Sequence, residues 1–160
     1  MRKRSKYRPR HILQDPIGYV LEGMTKITDK NKSKLLDIKV KNSQSMLALM
    51  RGKATNHDMN ILINMSNIVE ALQVQGFGED YANVCVDGRD AIISIVNRAH
   101  ERGTLIPSGK EVQSLNTLME LHDAQFEVIT IRDLEIATTY IENQIKHGTK
   151  NVFRLDPINI

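Results

Sequence analysis

The residues best suited to a chemical task are the cations at the start of the chain. Residues 1–10 contain six basic side chains, and the first acidic residue is Asp15. Clustered lysine and arginine side chains bind the phosphate groups of nucleic acids, with an affinity that falls as salt rises. Arginine adds bidentate hydrogen bonds, and a tyrosine ring stacks on a base. We therefore predict nucleic-acid contact through Arg2, Lys3, Arg4, Lys6, Tyr7, Arg8 and Arg10.

Other interpretations of this basic segment stay open. Residues 11–160 hold 16 bases and 19 acids, so the net charge of +3 arises from the first ten residues. A self-repelling segment with little to bury is expected to be disordered when free. It also suits contact with a protein or a neighbouring subunit, or a solubilising tail without a partner. Membrane attraction is disfavoured because no apolar stretch accompanies the charges.

One loop has the composition of a nucleotide-binding motif but not its spacing. A phosphate-binding loop needs four residues between its glycines and a hydroxyl residue after the lysine. Here five residues separate Gly103 from Gly109, and Glu111 follows Lys110. The segment instead predicts the start of a helix capped by Ser108.

The sequence contains no residue pattern typical of a metal site or of a catalytic nucleophile with its base. The single cysteine, Cys85, excludes an internal disulfide and a four-cysteine zinc site. Glu120, His122 and Asp123 are close in sequence, but residues two apart on a helix, such as Glu120 and His122, point to different faces. We interpret His122 as a hydrogen-bonded core histidine and Cys85 as a small buried residue. A non-enzymatic protein without metal or cofactor is expected.

Helix start and stop signals dominate the rest of the chain. Capping boxes are predicted where Thr55, Ser108 and Thr130 are each followed by an acid three residues later. Helices are predicted over about 15–24, 33–51, 55–75, 79–102, 108–126 and 130–147, with residues 28–33 as a loop. Asp87-Gly88 is a turn dipeptide that can split the fourth helix. Residues 35–40 and 126–131 also fit a strand, although a helix and a helix junction are preferred.

Two further surfaces are predicted to contact partners. Residues 56–75 carry no lysine or arginine, so this helix is expected to be central or covered by a partner. The last twelve residues are too apolar for a free tail and are expected to dock on the body or on another subunit. The predicted interface residues are Asn60, Asn64, Asn67, Phe153, Leu155 and Ile158.

Together these signals predict an all-α fold, a compact bundle of about six helices. Its parts are a basic arm over residues 1–11, a helical domain over 12–148 and a docking tail over 149–160. A chain of 160 residues buries roughly 70% of its unfolded surface and needs no disulfide. No apolar run approaches the ~20 residues of a membrane span. A cytoplasmic location is therefore expected.

The chain resembles small accessory proteins of phage and prophage genomes in four segments. These segments are SKYRP, YVLEGM, ATNHD and LNTLMELHDAQ. The resemblance implies a mobile-element protein in the bacterial cytoplasm and carries over no functional residue. Two hypotheses follow. The first is an oligomeric protein that binds nucleic acid, DNA or RNA, through its arm. The alternative is a protein-binding inhibitor or adaptor that acts on a host defence complex.

Overall fold

The computed structural model describes residues 21–148, of which 83% are helical. Residues 21–23 are helical, and an isolated antiparallel bridge joins Lys26 to Thr130. Within this range no strand is formed, so the fold is all-α, as predicted. The helices are α1 Ile27–Lys30, α2 Lys32–Met50, α3 Asn56–Val74, α4 Ala82–Arg102, α5 Gly109–Val128 and α6 Ile131–His147, with a 3-10 turn over Glu79–Tyr81 before α4.

The three predicted capping boxes set the starts of α3, α5 and α6. At α5, the Ser108 hydroxyl accepts a hydrogen bond from the backbone N–H of Glu111 at 3.3 Å, and the Glu111 carboxylate accepts one from the N–H of Ser108 at 2.7 Å. Thr55 and Thr130 make the same reciprocal pair with the acid three residues on. Because each box satisfies two N–H groups that the helix leaves free, these helix starts are encoded locally.

One local prediction is wrong. Residues 28–33 are not a loop, because α1 and the start of α2 occupy them. The reason is tertiary: Ile27 is buried, and its N–H donates to the carbonyl of Ile129 at 3.3 Å, which holds this polar segment against the α5–α6 junction. The predicted fourth helix is confirmed: α4 is continuous, and the break that Asp87-Gly88 could introduce does not form. The predicted helix over 35–40 and the helix junction at 126–131 are confirmed.

Helix α3 lies at the centre of the bundle and contacts α2, α4, α5 and α6. This confirms the prediction, from its lack of basic residues, that it is central. Its buried side includes Met59, Leu62, Met65 and Val69, which pack in a core shared with α2, α4 and α5. A second, smaller cluster joins the other end of α3 to α1, α5 and α6. Since α3 is covered on several sides, the described surfaces that remain for partners are the outer faces of the flanking helices and the exposed part of the N-terminal half of α3.

Candidate functional site

The predicted arm contacts, Arg2 to Arg10, lie outside the described residues, as do Phe153, Leu155 and Ile158. Their roles stay predictions. Of the predicted first helix, over 15–24, the structure describes residues 21–24, and residues 21–23 are helical. The described residues therefore bear on function through the surfaces and buried groups of the helical domain.

The three asparagines of α3 do not share one exposed face. Asn60 and Asn64 are exposed, whereas Asn67 is 2% exposed and lies inside the molecule. The prediction treated the helix face as uniform along its length. The neighbouring helices cover the C-terminal half of α3, where Ala71 and Leu72 are also buried, and leave part of its N-terminal half open. Partner contact by Asn60 and Asn64 stays a prediction.

The positive charge of the sequence extends beyond the arm into the folded domain. Residues 1–41 hold 12 bases and 4 acids, a net charge of +8, and residues 42–160 hold 10 bases and 15 acids, a net charge of −5. Six lysines lie on α1, on α2 or just before them, and all but the half-buried Lys39 are exposed. The average over residues 11–160 concealed this division. The six lysines are Lys26, Lys30, Lys32, Lys34, Lys39 and Lys41.

The outer face of α2 carries an apolar stripe. Leu36, Val40, Leu47 and Met50 are each between 43% and 62% exposed. We call these four residues the outer row. Seven residues make nearly two helical turns, so positions 36, 40, 43, 47 and 50 form one stripe along the helix. The buried face of α2, which includes Leu35, Met46 and Leu49, points elsewhere. This second stripe was not predicted; the 4-3-4-3 spacing of its residues is the signal in the sequence that indicates it.

Beside α2 lies an open groove of about 460 Å³, lined by residues of α1, α2 and α5. Its walls include Leu35, Leu36 and Phe126, and its rim combines two lysines with Asp29 and Glu127. A mixed rim of this kind selects neither an anion nor a cation. The groove therefore offers shape and apolar contact rather than a charge-specific ligand site.

The only described histidine that is buried, His122, stacks on Phe126 with ring centroids 4.3 Å apart. Its Nδ1 lies 3.2 Å from Oδ1 of Asp123, and Lys39 Nζ lies 3.4 Å from Oδ2 of the same carboxylate. Burial lowers the pKa of His122, because the charged ring loses solvation, although Asp123 opposes this. The predicted core histidine is confirmed. Its Nε2 is buried without a hydrogen-bond partner.

A buried ion pair between α3 and α4 was not predicted. Arg89 Nη1 lies 3.4 Å from Oε1 of Glu70, and both side chains are largely buried. Burial raises the pKa of Glu70, while Arg89 lowers it. Cys85 is buried as predicted, and burial together with the nearby Glu70 charge raises its thiol pKa to about 11. Such a thiol is protonated at neutral pH and is a poor nucleophile.

Within the described range, no group of three or more His, Cys, Asp or Glu side chains is arranged to hold a metal ion. None of the helices from residue 21 to residue 148 is long and apolar enough to cross a membrane. A scan against protein-family models gives no match, and searches of curated proteins and of solved structures give none either. The features that bear on function are therefore the charge distribution and the outer face of α2.

Proposed function

We propose that this protein is a non-enzymatic, oligomeric protein that binds the phosphate backbone of nucleic acids through its basic N-terminal part. The observation that carries the proposal is the separation of charge, +8 over residues 1–41 against −5 over the rest. A cluster of positive charges binds a polyanion because counterions are released from it. The negative charge of the remaining chain keeps that part away from the phosphate backbone. The resemblance to phage and prophage proteins favours a bacterial host as the setting.

The lysines of α1 and α2 support the proposal from the described residues. Lys34 and Lys41 are exposed and lie seven residues apart, on one face of α2. Lys32 and Lys39 have the same spacing on another face, where Lys39 is held by Asp123. A cationic helix that follows the basic arm in sequence gives the arm a second set of phosphate contacts. Backbone contacts of this kind carry little sequence specificity.

The test is a salt titration of binding to duplex DNA, single-stranded DNA and RNA, measured by fluorescence anisotropy. One variant carries glutamine at the six arm cations, Arg2, Lys3, Arg4, Lys6, Arg8 and Arg10. If all six contact phosphates of duplex DNA, the slope of log K against log salt should become less negative by about 5. A second variant, Lys34→Gln with Lys41→Gln, should lose a smaller part of the slope.

The matched control is Lys110→Gln with Lys146→Gln, which removes two exposed cations outside the basic part of the chain. It should bind as the unmodified protein does. Equal slopes for the unmodified protein and the arm variant on all three nucleic acids would remove the proposal.

The alternative, a protein-binding inhibitor or adaptor, is favoured by one described feature, the exposed outer row of α2. Exposed apolar groups on one line of a helix are typical of protein contacts rather than of phosphate contacts. The two functions are separated by capture from a bacterial lysate with and without nuclease. The alternative would be favoured if a protein partner is still captured in stoichiometric amount after nuclease treatment and if its retention does not depend on salt.

A further inference from the structure

We propose that the outer face of α2 is a homodimer interface, in which the α2 helices of two copies pack antiparallel along the outer row. The inference concerns the assembly that the proposed function includes, but it rests on α2 alone. Nucleic-acid binding can therefore fail while the dimer stands, and the reverse is also true. Three features of α2 support it: the spacing of its apolar residues, their exposure and the charges beside them.

The spacing is that of a helix–helix seam. Leu36, Val40, Ser43, Leu47 and Met50 follow one another at intervals of 4, 3, 4 and 3 residues, the a/d pattern of two packed helices. The pattern extends over 14 residue steps, about 21 Å of helix. Ser43 stands in the middle and is small, so the two backbones can approach closely there. In an antiparallel pair, the outer-row residues at the N-terminal end of one α2 then lie against those at the C-terminal end of the other α2.

The charges at the edge of the seam fit a second copy in this orientation. Asp37, Gln44 and Arg51 occupy equivalent positions seven residues apart along one edge of the row. When two such helices pack antiparallel, this edge meets the same edge of the partner. Asp37 then lies opposite Arg51 of the other copy, twice by symmetry, with Gln44 near the axis. A parallel pair would instead align the lysines of the two N-terminal halves side by side.

A symmetric contact of this kind would place two basic N-terminal segments on one particle. Two linked phosphate-binding segments raise the apparent affinity through their effective concentration, without any new contact. The dimer is expected to form without nucleic acid, because the seam uses apolar and ion-pair contacts of the protein itself.

The experiment measures the molar mass of the full chain by sedimentation velocity over a range of protein concentrations, after nuclease treatment. Leu47→Glu should raise the dimer dissociation constant at least about 100-fold, since it buries two carboxylates in the seam. The matched control is Ile136→Glu on α6, whose side chain is 47% exposed, against 45% for Leu47. Circular dichroism melting of both variants verifies that each is folded.

A charge exchange tests the orientation. Asp37→Arg alone and Arg51→Asp alone should each weaken the dimer by about tenfold, and the two together should restore it. These side chains are about 21 Å apart on one helix, so the rescue can arise only between copies. A monomer at all concentrations, a dimer insensitive to Leu47→Glu, or a dimer lost only on deletion of residues 149–160 or 2–10 would each overturn the proposal.

Discussion

Gly88 is the position at which the packing of α4 on α5 can be tested by a single methyl group. It lies inside α4, where the turn dipeptide Asp87-Gly88 can interrupt a helix, and the helix continues without a break. A Cβ at this position would lie 2.7 Å from Cδ2 of Leu118 and 3.1 Å from its Cβ and Cγ. Rotating the Leu118 side chain cannot relieve the contact with its Cβ, so α4 and α5 must move apart.

The expected effect of Gly88→Ala is the difference between two opposing contributions. Replacing glycine by alanine inside a helix stabilises it by about 1 kcal/mol. Overpacking a filled core costs about 1–3 kcal/mol, and contacts at three atoms of a fully buried leucine favour the upper part of this range. We therefore expect Gly88→Ala to lower the free energy of unfolding by about 1–2 kcal/mol.

Urea unfolding followed by circular dichroism at the helix band measures this difference. Gly109→Ala is the matched control, because no atom lies within 4 Å of its added Cβ; it should be neutral or stabilise by about 0.5 kcal/mol. Leu118→Ala alone should cost about 2–5 kcal/mol, and the double variant should cost less than the sum. Equal stability of Gly88→Ala and Gly109→Ala would refute the close approach of α4 to α5.

Three further predictions concern an ion pair between α4 and α5, a buried thiol and a buried amide. Arg98 donates to both carboxylate oxygens of Glu111 and lowers its pKa to about 2, so its contribution to stability is present above about pH 4.5 and is lost as pH falls toward 2; Glu111→Gln should flatten urea-measured stability across this window. The Cys85 thiol should react with a disulfide reagent only as fast as the protein opens, and prompt stoichiometric labelling of the native protein would contradict its burial. Gln125→Leu should cost about 1–3 kcal/mol in a urea titration, because its Nε2 donates to the carbonyl of Phe77 at 2.8 Å; a stability within error of the unmodified protein would show that water replaces this bond.

Assembly and nucleic-acid binding are separable properties of the proposed function. The outer row of α2 lies on the same helix as four of the lysines. Each variant must therefore change either the outer row or the lysines, but not both. Leu47→Glu changes the seam and adds negative charge, whereas Asp37→Arg with Arg51→Asp leaves the net charge unchanged. The exchange nevertheless moves two positive charges into residues 1–41, so Ile136→Glu, which adds the same charge as Leu47→Glu outside the outer row, is the better control for any change in salt-dependent binding.

The sequence by itself determined what is encoded over short distances. The capping boxes at Thr55, Ser108 and Thr130 depend on two residues three positions apart, so the starts of α3, α5 and α6 were predictable. The central position of α3 followed from its lack of basic residues, because a helix poor in charge does not gain from an open surface.

Tertiary structure decided what depends on residues far apart in the chain. The segment around Ile27 is helical because its backbone is held by Ile129, about a hundred residues later, and no local pattern contains that contact. Asn67 is buried although Asn64, one turn earlier, is exposed, since cover along a helix face depends on where its neighbours lie. For the same reason the apolar stripes of α2 divided into a buried and an exposed one only when the other helices were in place.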